Sequence, residues 1–312
     1  MSALLQFDGL ERAALPAKPL HLAIGMFDGV HLGHKSVIDS ALHSARRSGG
    51  LAGVLTFWPH PSALFRPDNP TRLIMSPAMK RRVLAGQGID FLIEQNFSRE
   101  FAGIDAGAFV EYLRKCLPQL AAIYVGENWR FGRDRAGDVS TLVAAGGQVG
   151  LEVFSAPRLN HNGAPISSSR IRELLASGAI ADANALLGYS YFSEGVVERG
   201  RQLGRTIGFP TLNLAWEPEL KPAYGVYAVE VITTQKRPLE GVANYGLRPT
   251  VDQTTRPLLE VHVLETSSLT YGDKLTVNWL QFLRPEAKFG SMEELRLQIE
   301  KDRQGALRFF QK

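Results

Sequence analysis

Two histidines, His31 and His34, lie in the glycine-rich segment GMFDGVHLGH at residues 25–34. The segment follows an apolar run at residues 20–24 that predicts a buried strand, and it precedes residues 35–47, where apolar side chains recur at helical spacing. A helix N-terminus offers free backbone N–H groups and the positive end of a dipole, and glycines let the backbone approach a ligand closely. Because both rings can donate to phosphate oxygens from one face of the turn, the pattern predicts a nucleoside triphosphate site without a P-loop lysine. The simpler alternative is a pair of satisfied polar residues at a helix start.

A second polar segment, ISSSRIR at residues 166–172, follows the last predicted strand of the first half of the chain. Hydroxyl and guanidinium groups at a helix start can clamp a phosphate. Taken alone, a serine N-cap followed by two surface arginines explains the segment more simply. The presence of His31 and His34 in the same predicted sheet favours the clamp.

The loop GENWRFG at residues 126–132 combines the amide of Asn128 with the aromatic rings of Trp129 and Phe131. An aromatic pair beside an amide can hold a flat ring system by stacking and hydrogen bonding. The loop can equally be one whose rings pack on the core, and the residues favour neither interpretation.

A third segment, GRQLGRTIGFPTLN at residues 200–213, is rich in glycine and cations, and its backbone N–H groups can cradle phosphates. Thr211 and Asn213 are two residues apart, so on an extended segment their side chains point the same way. Two neutral oxygens suit a Mg²⁺ ion that keeps water and nucleotide phosphates as its other ligands. A structural turn is the alternative. Glu260, in LLEVH at residues 258–262, is a lone carboxylate that the sequence alone predicts to face solvent, with His262 on the same face.

The composition describes a soluble globular protein. The chain has 312 residues, of which 45% are hydrophobic and 21% charged, and its net charge of +4 fits anionic substrates without requiring a nucleic acid. One cysteine, Cys116, excludes an intrachain disulfide and a cysteine-based metal site. Residues 80–82 are basic and are predicted to form a solvated helix face. With no signal pattern and no apolar run long enough to span a bilayer, we expect a cytoplasmic protein with no membrane partner.

Two halves of the chain follow different patterns, and we place the boundary between residues 1–187 and 188–312. Short apolar runs alternate with helical patterns in the first half, which predicts a doubly wound parallel sheet with ligands at the carboxyl ends of its strands. After residue 188, β-branched and aromatic runs between Gly, Pro, Asn and Asp turns predict an antiparallel sheet or small barrel, closed by a helix from about residue 292. The predicted strands are 20–26, 51–57, 90–94, 121–125, 151–154, 224–233, 239–244, 258–264 and 274–282, and the predicted helices of the first half are 35–47, 76–86, 105–117 and 138–145.

In this order, the motifs resemble the bacterial bifunctional riboflavin kinase/FMN adenylyltransferase family, also called FAD synthetases. The resemblance covers nearly the whole chain through GMFDGVHLGH, VLTFWPHP, VGENWRFG, ISSSRIR, GRTIGFPTLNL, GVYAV, VANYGLRPT, LLEVHVLE and FLRPEAKF. It implies two reactions: riboflavin takes the γ-phosphate of ATP to give FMN, and FMN then takes AMP from a second ATP to give FAD and pyrophosphate. It also implies an α/β nucleotidyltransferase domain followed by a small β-barrel kinase domain.

The resemblance assigns roles to residues of both halves. His31 and His34 would stabilise charge on the ATP phosphates, and Glu260 would act as base on the ribityl hydroxyl, which overrides the solvent-facing interpretation. Thr211 and Asn213 would bind Mg²⁺. The other implied contacts are Gly25, Phe27, Asp28, Gly33, Ser168, Ser169, Arg170 and Arg172 to ATP in the adenylyltransferase; Asn128, Phe57 and Pro59 to its flavin; and Gly200, Gly204, Arg205, Gly208 and Pro210 to ATP in the kinase.

Departures from the family pattern are small. Ser169 stands where threonine is usual, Trp129 where phenylalanine is common, and Glu265 where aspartate is frequent. We expect flavins and nucleotides as partners, with no nucleic acid, and the residues leave a homo-oligomer open.

Two rival functions remain at this point. One is a His-x-Gly-His transferase with a different acceptor, which leaves residues 188–312 unexplained. The other is a flavin-binding regulator that has lost catalysis, against which the intact His31, His34, Thr211, Asn213 and Glu260 argue.

Overall fold

The computed structural model describes residues 4–200, 204, 207–233, 237–249, 255–265 and 268–311. All elements given below belong to these residues. The chain divides into two compact units, Met1–Ser168 and Ser169–Lys312. This division lies inside a helix and some twenty residues before the sequence-based boundary at 187/188, which stays a prediction.

The first unit is built on a parallel sheet, as predicted. Its strands run in the order β1-β4-β3-β2-β5-β6, and every neighbouring pair is parallel. The strands are β1 (Leu5–Phe7), β2 (Leu20–Ile24), β3 (Leu51–Trp58), β4 (Phe91–Asn96), β5 (Leu120–Gly126) and β6 (Glu152–Ala156), and a hairpin of β7 (Asn160–His161) and β8 (Ala164–Pro165) follows them. The helices are α1 (Leu32–Ser48), α2 (Pro61–Phe65), α3 (Pro77–Ala85), α4 (Arg99–Ala102), α5 (Ala106–Cys116) and α6 (Val139–Gln148).

Helices cover both faces of this sheet. Leu22 and Ile24 of β2 belong to a core cluster with Leu113 of α5 and Leu142 of α6. Directly before Leu22 in sequence, His21 points the other way and bonds Ser48 at the end of α1 across 2.8 Å. Burial on both faces explains why the strands read as continuous apolar runs.

Strand β2 lies at the centre of the sheet, with β3 on one side and β5 on the other. The chain moves outward from β2 through β3 and β4 in one direction and through β5 and β6 in the other. Such a reversal opens a crevice at the carboxyl ends of the two strands. The loop 25–31 follows β2 and the loop 127–132 follows β5, so both predicted loops leave the sheet at this crevice.

Two expectations for the first unit fail. Strand β1 was not predicted, because three residues are too few to show a period. Lys80 was predicted on a solvated helix face, but it is 6% exposed on α3, whereas Arg81 reaches Glu94 in an ion pair of 2.9 Å. The prediction is wrong for Lys80 because three consecutive basic residues point in different directions around a helix, and one of them lies on its buried side. The position of Lys80, four residues before the buried Leu84, places it on the apolar face of the helix.

The second unit is an antiparallel closed barrel, as predicted, with two helices before it and one after. The barrel order is β10-β13-β12-β11-β14-β9. Its elements are α7 (Ser168–Ala176), α8 (Ile180–Leu187), β9 (Phe192–Glu198), β10 (Leu212–Leu214), β11 (Gly225–Ile232), β12 (Pro238–Pro249), β13 (Thr255–Val263), β14 (Lys274–Pro285) and α9 (Met292–Phe310). Strands β9 and β10, which close the barrel, were not among the predicted strands.

Side chains alternate between the interior and the outside of the barrel. Leu259 and Val261 of β13 are fully buried, as are Tyr227 and Trp279, whereas Glu260 between the two apolar residues is half-buried on the outer face. Helix α9 lies against this outer face of the barrel. It is held there by Arg284 of β14, which donates to both carboxylate oxygens of Asp302 at 2.8 and 2.7 Å.

Polar side chains cap α3, α6 and α9 at the residue before their first turn. Ser76 accepts the N–H of Met79 at the start of α3, and Ser291 accepts that of Glu294 at the start of α9. Asp138 caps α6 in the same way, but Asp105 makes no side-chain cap bond to α5. Within the part of the chain that the structure describes, no helix has both the length and the apolar content needed to cross a membrane.

Candidate active sites

His31 is the N-cap of α1, and its ring is fixed by the helix that it caps. Its Nδ1 accepts the backbone N–H of His34 at 3.3 Å, and the two rings stack with centroids 3.6 Å apart. An Nδ1 that accepts leaves the hydrogen of a neutral ring on Nε2. The cap therefore makes His31 Nε2 a donor beside the N–H groups at the start of α1, an arrangement that suits an anion.

The backbone of the same loop is under strain. Phe27 and Val30 have φ angles of 50° and 36°, a region that β-branched residues rarely enter, and both are buried. Gly33 allows the close approach of the His31 ring, because a Cβ there would lie 3.2 Å from it. Asp28 is also buried, and its carboxylate oxygens accept the N–H of Ile74 at 3.1 and 3.2 Å. Gly25, Phe27 and Asp28 thus form the structural frame of the loop.

The start of α7 meets this loop within the first unit. Ser168 Oγ donates to the carbonyl oxygen of Asp28 at 2.8 Å. This hydrogen bond brings the two segments that the sequence assigned to phosphate binding together. Ser169, Arg170 and Arg172 belong to the second compact unit, and their assignment to ATP stays a prediction.

Aromatic residues assigned to the flavin pack on the core of the first unit. The Trp129 and Phe131 rings stack at 4.6 Å, and Phe131 is 6% exposed against Phe109. Phe57 is buried beside Phe97 and Phe101. The interpretation of this loop as core packing therefore holds for Phe131.

Two of the flavin-assigned residues remain reachable at the surface. Asn128 is exposed, with its Nδ2 3.3 Å from Glu127 Oε1. Pro59 is half-buried directly after β3, at the carboxyl end of the sheet. Their contact with flavin stays a prediction.

Asn213 of β10 is buried at 7% exposure, and its Oδ1 has no hydrogen-bond partner among the described residues. A Cβ at Gly200 would lie 2.2 Å from Asn213 Nδ2, and one at Gly204 would lie 3.4 Å from Thr211 Oγ1. Glycines therefore leave space at both side chains. An unpartnered buried amide oxygen is costly unless something binds it.

Glu260 lies directly opposite two amides on neighbouring strands. It pairs with Asn213 of β10 on one side and with Asn244 of β12 on the other. Side chains directly opposite in antiparallel strands have Cβ atoms about 4.5–5.5 Å apart. The register thus places a carboxylate between two amides on the outer face of the barrel, which sequence spacing alone could not reveal.

A cavity of about 310 Å³ opens on this face between the barrel wall and α9. Thr211, Glu260 and His262 line one side, and Asp302 and Arg303 of α9 line the other. His262 Nδ1 is 2.8 Å from the carbonyl oxygen of Pro210, so it holds the chain just before Thr211. The cavity has the size and the mixed apolar and polar lining of a small-molecule site.

The remaining residues assigned to the kinase ATP lie around this segment. Gly208 has a φ of 87°, which only glycine adopts readily, and Gly204 lines the cavity. Gly200 lies beside the Asn213 amide, and the Pro210 carbonyl oxygen lies beside the His262 ring. Arg205 lies outside the described residues.

Each of the two units resembles a known protein family. A model of the FAD synthetase family matches residues 15–170, and a model of the riboflavin kinase family matches residues 187–310. The bifunctional riboflavin kinase/FMN adenylyltransferase of Escherichia coli K12 is 37% identical over 295 residues, which cover 95% of this chain and 94% of that protein. This chain belongs to that family. The bifunctional riboflavin kinase/FMN adenylyltransferase of Haemophilus influenzae is 36% identical over 302 residues, which cover 97% of this chain and 98% of that protein.

A crystal structure from Streptococcus pneumoniae, named there as a macrolide-efflux protein, has the same fold. It superposes with a TM-score of 0.87 at 29% identity and covers 96% of this chain and 97% of its own. The description as a macrolide-efflux protein applies to that protein and is not carried over to this chain. The riboflavin kinase match accounts for residues 187–310, which a transferase with a different acceptor leaves unexplained.

Proposed function

We propose that the loop 25–34 of the first unit carries FMN adenylylation and that the outer face of the barrel carries riboflavin phosphorylation. As a member of its family, the chain is a bifunctional riboflavin kinase and FMN adenylyltransferase of FAD biosynthesis. The observation that supports the division most strongly is that the FAD synthetase match covers the loop 25–34, whereas the riboflavin kinase match covers the barrel strands.

In the kinase, Glu260 would accept the proton of the ribityl 5′-hydroxyl as its oxygen attacks the γ-phosphorus of ATP and ADP leaves. Such a base must be within hydrogen-bond reach of the hydroxyl, and the cavity beside Glu260 offers a place for the ribityl chain. Asn244 and Asn213 flank the carboxylate, and their amides would orient it. The flavin would enter the same cavity.

Mg²⁺ fits the two neutral oxygens of Thr211 and Asn213. Asn213 Oδ1, which has no partner in the part of the chain that the structure describes, suits a hard cation, and the glycines at 200 and 204 leave space beside both side chains. Bound there, the ion would offset phosphate charge during transfer. Among the residues described, no group of three or more His, Cys, Asp or Glu could hold a metal.

In the adenylyltransferase, an FMN phosphate oxygen would attack the α-phosphorus of ATP while pyrophosphate leaves. His31 Nε2 and the N–H groups at the start of α1 would hold the ATP phosphates, and charge that develops on them would strengthen these hydrogen bonds. Asp28, Gly33 and Ser168 shape that site, and the family resemblance also assigns Ser169, Arg170 and Arg172 to the ATP phosphates. Asn128 and Pro59 would contact the flavin, with Phe57 supporting them from the core.

Both reactions use small, diffusible substrates that a cytoplasmic enzyme would meet, and neither involves nucleic acid. The test is to incubate the chain with riboflavin, ATP and Mg²⁺ and to separate riboflavin, FMN and FAD over time. We expect FMN first and FAD later, and neither product when Mg²⁺ is chelated. A folded, flavin-binding chain that forms neither product supports the regulator that has lost catalysis.

A further inference from the structure

Lys80 is a buried cation in the first unit that neither reaction requires directly. We infer that Lys80 is a positioning residue for adenylylation, whose ammonium group holds the strained loop 25–31 in the conformation that binds ATP phosphates. The inference deepens the proposed function and rests on its assignment of adenylylation to this loop.

All three donors of the Lys80 ammonium group are directed at the carboxyl ends of β2 and β3. Nζ donates to Thr56 Oγ1 at 3.0 Å, to the Phe57 carbonyl oxygen at 3.2 Å and to the Met26 carbonyl oxygen at 3.5 Å. Thr56 Oγ1 in turn donates to the same Met26 oxygen at 3.0 Å. Lys80 and Thr56 therefore fix the last carbonyl group before the loop turns away from the sheet.

The residue after Met26 is the first strained residue of the loop. Phe27 has a φ of 50°, and the strain recurs at Val30. Strained backbone of this kind persists only where surrounding contacts hold it. Ile74 and Ser168 hold Asp28 in the middle of the loop, whereas Lys80 and Thr56 hold its beginning. Without Lys80, the Met26 carbonyl oxygen keeps the hydroxyl of Thr56 as a donor but loses its bond to a cation.

Burying the ammonium group of Lys80 costs solvation free energy, which a side chain that only filled space would not incur. Burial lowers the pKa of Lys80, and the negative charges of Glu94 and Asp28 oppose that shift. An apolar side chain of similar length would avoid the desolvation of a charge. A methionine at position 80 would fill a similar volume but could not donate the three hydrogen bonds of the Lys80 ammonium group.

The geometry also distinguishes positioning from catalysis. Lys80 is 6% exposed and its donors are all engaged, so it cannot reach a phosphate without giving up the strand ends. Beside it lies a cavity of only about 10 Å³, lined by Met26, Asp28 and Phe57 among others. That is at the lower limit for one water, so a methionine at this position leaves little room for water to donate instead.

The test measures kcat and KM for FMN adenylylation on the full chain, below the first thermal transition of each variant. Lys80→Met should lower kcat by about 10²-fold, because small misplacement of a loop that positions substrate has effects of that size. KM for FMN should change far less. Thr56→Val should act in the same direction, and Thr56→Ser, which keeps the hydroxyl, should retain at least about ten times the kcat of Thr56→Val. Lys115→Met, which changes an exposed lysine of α5, is the matched control.

The kinase activity of each variant reports the concentration of folded second unit, and the first thermal transition, compared with that of wild type, reports whether the first unit is folded. If Lys80→Met folds and its kcat per folded molecule stays within about threefold of wild type, the inference is overturned. If Lys80→Met does not fold, the threonine pair decides: equal kcat for Thr56→Val and Thr56→Ser overturns the inference, and the expected difference supports it.

The double variant His31→Ala/His34→Ala separates this inference from the proposed function. Normal adenylylation by the double variant removes the site itself from the loop. Loss of adenylylation in the double variant together with normal kcat in Lys80→Met leaves the site in place and rejects only the role of Lys80.

Discussion

Replacing Glu260 by glutamine changes a single group on the outer face of the barrel. The substitution keeps the length and the hydrogen-bonding shape of the side chain but removes its ability to take a proton. Glu260 lies opposite Asn213 and Asn244 on neighbouring strands and lines the cavity beside Thr211. Leu259 and Val261, which point into the core, are untouched.

The size of the effect follows from the role. A positioned general base contributes about 10²- to 10⁴-fold to a rate, which corresponds to about 2.7–5.4 kcal/mol of barrier height. The side chain is half-buried and faces the cavity, so we expect little change in the free energy of unfolding. Riboflavin phosphorylation should therefore fall by at least about 10²-fold while the thermal transition barely moves.

The assay measures both activities on the same protein. Adenylylation of supplied FMN by Glu260→Gln should equal that of wild type, because the loop 25–34 lies in the other unit. Glu240→Gln, which changes an exposed carboxylate of β12, is the matched control and should phosphorylate riboflavin normally. Kinase activity of Glu260→Gln within a few-fold of wild type would refute the reasoning and return Glu260 to a solvent-facing strand residue.

Four further predictions follow from the two units. His31→Ala combined with His34→Ala should lower FAD formation from FMN by about 10²- to 10³-fold or more, with riboflavin phosphorylation unchanged, and normal FAD synthesis would contradict the assignment. Asn213→Leu should raise the Mg²⁺ concentration needed for half-maximal kinase rate, and an unchanged Mg²⁺ titration would locate the ion elsewhere. The fragment 169–312 should fold and phosphorylate riboflavin, whereas 188–312 should melt at lower temperature. The reason is that Asn184 of α8 donates to the Trp279 carbonyl at 2.8 Å and accepts from Tyr191 N at 2.7 Å, and equal melting temperatures would show that α8 adds nothing. Burial lowers the pKa of His21 from 6.5, so the unfolded chain binds a proton more readily and the first unit should lose stability as the pH falls below 6.5. His21→Gln should flatten that pH dependence in thermal unfolding, and a slope equal to that of wild type would contradict this account.

Much of the fold could be predicted because its elements are long and periodic. Strands buried on both faces read as apolar runs, and the barrel strands with their turns read as alternating segments. Strands β1 and β10 are not predicted from the sequence, because each has three residues, too few to show an alternating pattern. The closing strand β9 is interrupted by exposed and glycine positions, which hide its alternation.

The site residues were predictable only where their spacing along the chain mattered. His31 and His34 lie in one turn, so the sequence places them together. Glu260 and Asn213 lie 47 positions apart and meet only through the register of β10 with β13, so only the family resemblance pointed to Glu260 as a base. Lys80 was missed because a run of three basic residues conceals that only one of them lies on the buried face of α3.

The central claim is that one chain carries two separate sites connected by FMN. The most direct test mixes Glu260→Gln with the double variant His31→Ala/His34→Ala in the presence of riboflavin, ATP and Mg²⁺. Each protein alone should fail to make FAD from riboflavin, and the mixture should make it, because FMN released by one protein is adenylylated by the other. A mixture of folded variants that accumulates FMN without FAD, or either variant alone making FAD at the wild-type rate, would contradict the claim.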